Sequence, residues 1–116
     1  RLAKFVLIGA FLILFTGGFC NALVSYFNDY KMPVNVEGFE KQIANSPRHT
    51  SFSSNTRFPL LADNICLTLP NGRLYIMSIG DVLIFVGTGV LFITVFTTYF
   101  RVRSLYLRAL LTKSDK

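Results

Sequence analysis

"LYIMSIGDVLIFVG", residues 74–87, places an acid at the edge of a long apolar run. Asp81 is followed by Val82, Leu83, Ile84, Phe85 and Val86, and no charge returns until Arg101. The carboxylate is either the working group of a buried site or the start signal of a membrane helix. Ser78 stands three residues before it. This is the S-x-x-D form of a capping box, in which the two side chains satisfy exposed backbone N–H groups of the first turn. A first-turn carboxylate also meets the positive end of the helix dipole. Each effect is worth roughly 1 kcal/mol and needs no chemistry. Ser78 and Asp81 are therefore read as a helix cap.

The helix they open is of membrane length. Residues 82–100 form a charge-free run of 19, and residues 5–27 a charge-free run of 23. At about 1.5 Å per residue, helices of these lengths reach roughly 28 and 35 Å, against a hydrocarbon layer about 30 Å thick. A chain of 116 residues has room for one domain. The pattern predicts an all-α membrane protein built on an antiparallel two-transmembrane-helix hairpin. The first helix takes residues 1–27, an extracytoplasmic cap 28–79, the second helix 80–100, and a basic cytoplasmic C-terminal helix 101–116. A signal peptide fits the first run less well. The run is long for an apolar h-region, and no small-x-small cleavage site follows it before Asn28. The chain does not begin with Met, and further helices upstream of Arg1 are an expectation.

Lys and Arg number 12 against 6 acids, a net charge of +6. Arg1 and Lys4 flank the first run, and Arg101, Arg103, Arg108, Lys113 and Lys116 follow the second. Between the runs, Lys31, Lys41, Arg48, Arg57 and Arg73 are nearly matched by Asp29, Glu37, Glu40 and Asp63. The positive-inside rule then puts both termini in the cytoplasm of a bacterial inner membrane, with Lys31 and Arg73 near helix ends on the outer side. Arg101, Arg103 and Arg108 are candidate contacts for anionic headgroups or for a partner protein; nucleic acid is not an expected partner. Around them Leu107 and Leu111 lie on the opposite side from Val102, Leu105 and Tyr106, so the segment has no clean solvent face.

Small and polar residues form a stripe on each apolar run: Ala10, Gly17, Asn21, Ser25 and Asn28 on the first, Gly80, Gly87, Thr94 and Thr98 on the second. Such residues let helix backbones approach and hydrogen-bond across the contact. Gly17, Asn21, Ser25, Gly80, Gly87 and Thr94 are the candidate packing residues, facing each other within the hairpin or facing another subunit. Cys20 lies in the first run and Cys66 between the runs, and a disulfide would require Cys66 to dip into the bilayer. Two cysteines and one histidine make no zinc pattern. Neither run contains His for axial ligation, and Gly87-x-Gly89 lies inside a hydrophobic helix, not after a strand. No cofactor is expected.

In the connecting segment, "KMPVNVEGFEKQIAN" predicts a short helix with Val36, Phe39, Ile43 and Ala44 on one face. "SPRHTSFSSNT" reads as irregular. "FPLLADNICLTLP" resumes apolar character, with Leu60, Leu61, Ile65, Leu67 and Leu69 expected to pack in a cap on the outer membrane face. "LPNGRLYIM" holds Asn-Gly between β-capable runs, a tight-turn signal. His49, Asp63 and Asp81 could converge as a proton-transfer or hydrolytic site, but no nucleophile motif accompanies them.

"NALVSYFNDYKMPVNVEGF", His49, "LLADNICLTLP" and "SIGDVLIFVGTGVLF" together resemble the C-terminal half of a family of bacterial integral membrane proteins. That family is known only as a domain of unknown function. Its pattern runs N-x-L-V-x-x-x-N-G-G-x-M-P-V, a histidine, L-G-D-x-I-x-L-P and S-I-G-D-V-L-I. The resemblance covers residues 21–92 and rests on M-P-V followed by S-I-G-D. The chain departs from it at Asp29 and Tyr30, where the family has Gly-Gly, and at Ala62, where it has Gly. The resemblance implies a membrane location and helices upstream, and no activity. The expected role is that of a non-catalytic accessory subunit or assembly factor of a larger membrane complex. The alternative is a membrane enzyme or lipid-handling protein using Asp63, Asp81 and His49.

Overall fold

The computed structural model describes residues 2–114. Helix α1 runs over Leu2–Tyr26 and helix α3 over Ile79–Ser114; between them lie β1 (Met32–Val34), α2 (Glu40–Ala44), β2 (His49–Ser51), a 3-10 turn (Pro59–Leu61), β3 (Ile65–Thr68) and β4 (Leu74–Met77). The chain is mostly helical. It is not all-α, because long-range pairing organises the segment between the helices into two small sheets.

Both long helices are long and apolar enough to cross a membrane. They bury only 11% of their most apolar windows, where the core helix of a soluble protein would bury most of its surface. Phe5, Phe11, Phe15 and Phe19 on α1, and Phe85, Phe92 and Phe96 on α3, point away from the protein. Leu-, Ile- and Phe-rich runs without Pro stay helical in such surroundings because a helix satisfies every backbone polar group internally. The expected boundary after Phe100 is absent. α3 is a single helix of 36 residues, and residues 101–114 are its last part, not a helix of their own. "RVRSLYLRALL" contains neither Gly nor Pro to break it.

α1 and α3 pack side by side and run in opposite directions. A Cβ at Gly17 would lie 2.6 Å from the Gly80 carbonyl oxygen, and one at Gly87 would lie 2.8 Å from Leu14 Cγ and 3.1 Å from the Ala10 carbonyl. Ala10 and Val24 are buried in the same seam. Small side chains let the two backbones touch, and dispersion contacts accumulate along the seam. Ser25 and Thr94 are half-buried, and the Thr94 hydroxyl donates to its own helix at Val90 O, 2.7 Å.

α1 ends where the Asn28 side-chain amide donates to Val24 O at 2.7 Å. The next residues, Asp29 (φ 57°) and Tyr30 (φ 58°), are left-handed. These are the positions at which the resembling family carries Gly-Gly. A left-handed conformation costs a residue with a Cβ roughly 1–2 kcal/mol, which is why such positions favour glycine.

The cap is organised on β1. β2 pairs with it in parallel, Met32 opposite His49 and Val34 opposite Ser51. On its other side Asp63 N donates to Pro33 O at 2.9 Å, and Asn35 N to Asp63 O at 2.9 Å. Pro33, which lacks an N–H, is fully buried there. β2 lies inside the stretch expected to be irregular. Val34, Phe39 and Ile43 form the cap's core, with Val36 and Ile76 packed on it, whereas Ala44 is exposed. Leu60, Leu67 and Leu69, expected to pack, are exposed as well. β3 and β4 are a two-stranded antiparallel ladder whose outer face no other element covers. Gly72, at φ 76°, closes their turn by donating to Leu69 O at 2.9 Å.

Candidate functional site

Ser78 is fully buried at the start of α3. Its backbone N–H donates to Asp81 Oδ2 at 2.9 Å, and its hydroxyl oxygen accepts from Asp81 N at 3.0 Å. The two residues thus cap the helix reciprocally. The same hydroxyl donates to Asn21 Oδ1 at 2.8 Å, and Asn21 Nδ2 donates to Asp81 Oδ1 at 2.7 Å. Asn21, in the last third of an apolar helix, has its amide oxygen and nitrogen both engaged by the capping pair of the other helix. Gly80 makes the room, because a Cβ there would collide with the Asn21 amide. Within S-I-G-D, then, the serine and the acid hold Asn21 and the glycine lets it in. Both oxygens of Asp81 accept structural hydrogen bonds.

Asp63 is the cap's buried acid, 4% exposed. Its Oδ2 lies 3.7 Å from His49 Nε2, while its buried Oδ1 has no hydrogen-bond partner among the described residues. The pairing of β1 with β2 on one side and with residue 63 on the other brings the two side chains together. His49 Nδ1 is 2.7 Å from Ser46 Oγ, which fixes the ring. Burial, with a smaller contribution from the Asp81 charge, raises the Asp63 carboxyl from 3.8 to about 6. Asp63 can therefore hold and release a proton near neutral pH beside an imidazole.

A cleft of about 900 Å³ opens between the cap and the first turns of α3. His49, Arg48, Gln42 and Ser46 line its upper part, and Asp81, Ile84, Phe85 and Thr88 carry it down along α3. Its lining combines polar groups with apolar walls from Val34, Ile43, Ile84 and Phe85, a composition suited to an amphiphile. No cluster of His, Cys, Asp or Glu among the described residues could hold a metal ion, and Cys20 and Cys66 are free thiols. Arg101, Arg103 and Arg108 lie on the second half of α3; Arg103 and Arg108 flank a shallow groove with Phe100 and Leu107.

Arg48, Gln42 and Ser46 have no signal in the sequence, since one residue of α2 and two of the loop after it carry no shared spacing. The Asn21–Asp81 bond has only a partial one. An Asn within a long apolar run demands a partner, but nothing local names a carboxylate 60 positions away.

A family model described as a family of unknown function, DUF5317, matches residues 6–94. An uncharacterized protein of Thermotoga maritima is 41% identical over 46 residues, covering 40% of this chain. The match spans 27% of that relative's length, so the chain corresponds to about a quarter of the curated protein it resembles. No solved structure matches the chain.

Two outcomes follow from the geometry. Asp81→Asn keeps an acceptor for the first turn and should accumulate in membranes nearly as the wild type does. Asp81→Leu strands Ser78 N and the Asn21 amide, at about 1–3 kcal/mol for each unpaired group, and should accumulate poorly. Immunoblots of membrane fractions decide; equal accumulation of the two would refute the capping role. For Asp63, a folded-state value above the unfolded one means that the fold binds the proton more tightly between them. Stability is then full below pH about 4, falls as pH rises to about 6, and is flat above, by about 3 kcal/mol in all. Thermal unfolding in detergent should show that decline, and Asp63→Asn should remove it.

Proposed function

The chain belongs to DUF5317, a family of unknown function, and from that premise we propose that it is a non-catalytic accessory subunit or assembly factor of a larger complex in the bacterial inner membrane. α1 and α3 form an antiparallel transmembrane hairpin, the cap lies outside, and both termini are cytoplasmic. Other membrane subunits cover its outward helix faces, and Arg101, Arg103 and Arg108 meet anionic headgroups or those subunits.

The observation that carries this is a set of open glycines. An added Cβ at Gly9 or Gly18 of α1, or at Gly89 of α3, would meet nothing within 4 Å. A helix-interior glycine costs about 0.5–1 kcal/mol relative to Ala, so each needs a compensating use. In an apolar helix that use is close approach by another helix. The commitment of both Asp81 oxygens to the cap and to Asn21 supports a structural role for the marked S-I-G-D motif.

Two features favour a lipid-handling or enzymatic role instead: the cleft beside His49 and Asp81, and the Asp63 Oδ1 that has no partner among the described residues. His49, which lines the cleft, would then exchange protons with a bound amphiphile, with Asp63 behind it at 3.7 Å and Asp81 shaping the field around them.

Native purification separates the two. With an accessory role, the protein co-purifies with other membrane proteins in defined stoichiometry. Gly18→Leu and Gly89→Leu should then lose those partners several-fold while the chain itself accumulates. Recovery of the protein alone, unaffected by either substitution, would defeat the proposal. A cellular activity lost in Asp63→Asn with assembly intact would favour the alternative. Orientation is checked separately by labelling intact cells with a membrane-impermeant maleimide. In a chain whose Cys20 and Cys66 are replaced by Ser, a cysteine at Ser53 should react and one at Ser114 should not; the opposite pattern would invert the topology.

A further inference from the structure

At the outer end of α1 a side chain does the work of a strand. Asn28 Nδ2 donates to Arg57 O at 2.9 Å, and Asn28 Oδ1 accepts from Arg57 N at 2.9 Å. This paired contact tethers the turn at residues 57–61 to the helix end. Phe58 follows in a left-handed conformation, φ 54°, which is an outlier for so bulky a residue. The conformation sets the Phe58 ring 5.4 Å from that of Phe27; Phe27 in turn meets Tyr26 at 5.3 Å, and Tyr26 meets Tyr30 at 5.6 Å. All four rings are exposed, and Leu60 beside them is 79% exposed. Behind the rings is a polar recess of about 280 Å³ lined by Lys31, Arg57 and Asp29, with hydroxyls from Ser53 and Thr56.

We propose that this edge is a binding site for a phospholipid of the outer leaflet. An acyl chain lies along Phe27, Phe58 and Leu60, and the phosphate enters the recess between Lys31 and Arg57, a placement that rests on α1 crossing the membrane. Aromatic side chains at the end of an apolar helix belong at the membrane–water boundary, where one part of the ring is in hydrocarbon and the other is wet. Facing water, the same cluster would be an unfavourable apolar patch held out by a strained backbone. The edge is also continuous with the outward surface of α1 through Phe19. Directly above the rings, a guanidinium and an ammonium outnumber the single carboxylate of Asp29, and both cations suit a phosphate. Asn28 fixes the backbone of Arg57, so only its side chain remains to be ordered on binding. The site also accounts for Lys31, a cation on the side of the membrane that the positive-inside rule leaves poor in them.

The chain contains no Trp, so one introduced Trp reports alone. Leu60→Trp and, as a control inside α1, Phe15→Trp are reconstituted in phosphatidylcholine nanodiscs whose scaffold protein is a Trp-free variant. The discs carry either dibrominated phosphatidylglycerol or dibrominated diacylglycerol at one mole fraction. The Phe15→Trp signal should be quenched by both brominated lipids; quenching by neither would overturn the membrane-spanning reading and this site with it. The Leu60→Trp signal should be quenched several-fold more by the phosphate-bearing lipid, at roughly fivefold per engaged cation. Adding Lys31→Gln and Arg57→Gln should bring the two lipids to parity. With a quenched Phe15→Trp control, a Leu60→Trp signal reached only by aqueous acrylamide would refute the site. So would a preference that survives loss of both cations, or one abolished by soluble glycerol phosphate, which would make the recess a free-phosphate site.

Discussion

An asparagine amide within a long apolar helix must find partners before that helix can lie in hydrocarbon, because an unpaired buried amide costs several kcal/mol. The ring formed by Asn21, Ser78 and Asp81 meets that demand, and much else in the fold follows from it. Asn21 can reach the start of α3 only if Gly80 has no side chain. The helices can close on that point only if Gly17 and Gly87 let their backbones touch. Once they have closed, register and direction are set together. A shift of α3 by one residue would carry Asp81 off the seam and leave the Asn21 amide against Val82 or Gly80. Apolar packing alone is tolerant of such slips, and the polar ring is not.

The cap shows a different balance. Its core is small, and it rests on a three-residue strand paired on both sides. That pairing carries the backbone of Asp63 into the interior and leaves one carboxylate oxygen without a partner among the described residues. A structure built for stability alone would place an apolar residue there. The unspent hydrogen-bonding capacity sits on the cap's buried acid, whose other oxygen faces His49, while at the start of α3 Asn21, Ser78 and Asp81 have their polar groups matched.

The membrane-length helices are legible in the sequence because a soluble core helix seldom runs 23 or 19 residues without a charge. The reciprocal bonding of Ser78 and Asp81 is legible because it depends on a spacing of three along one helix. What depends on distant partners is not. β2 is three residues of a polar loop that become a strand only because Met32–Val34 lies alongside. Leu60, Leu67 and Leu69 read as interior residues yet lie exposed, since composition records that a residue is apolar and not which apolar phase it meets. The continuity of α3 past Phe100 is readable in the lack of Gly and Pro, but the rise in charge density at Arg101 imitates a structural boundary.

That continuity has a mechanical consequence. α3 spans about 54 Å as one rod, whereas α1 spans about 37 Å. The rod is gripped at one end through Ser78, Asp81 and Asn21, and its far third extends past the close seam contact at Gly87. Such an element works as a lever with its fulcrum near the cap. A tilt of about 5° at the fulcrum swings the distal end by roughly 5 Å, about the pitch of one helical turn. Small displacements at the capped end would therefore reach the far end of α3 enlarged, with no hinge to absorb them.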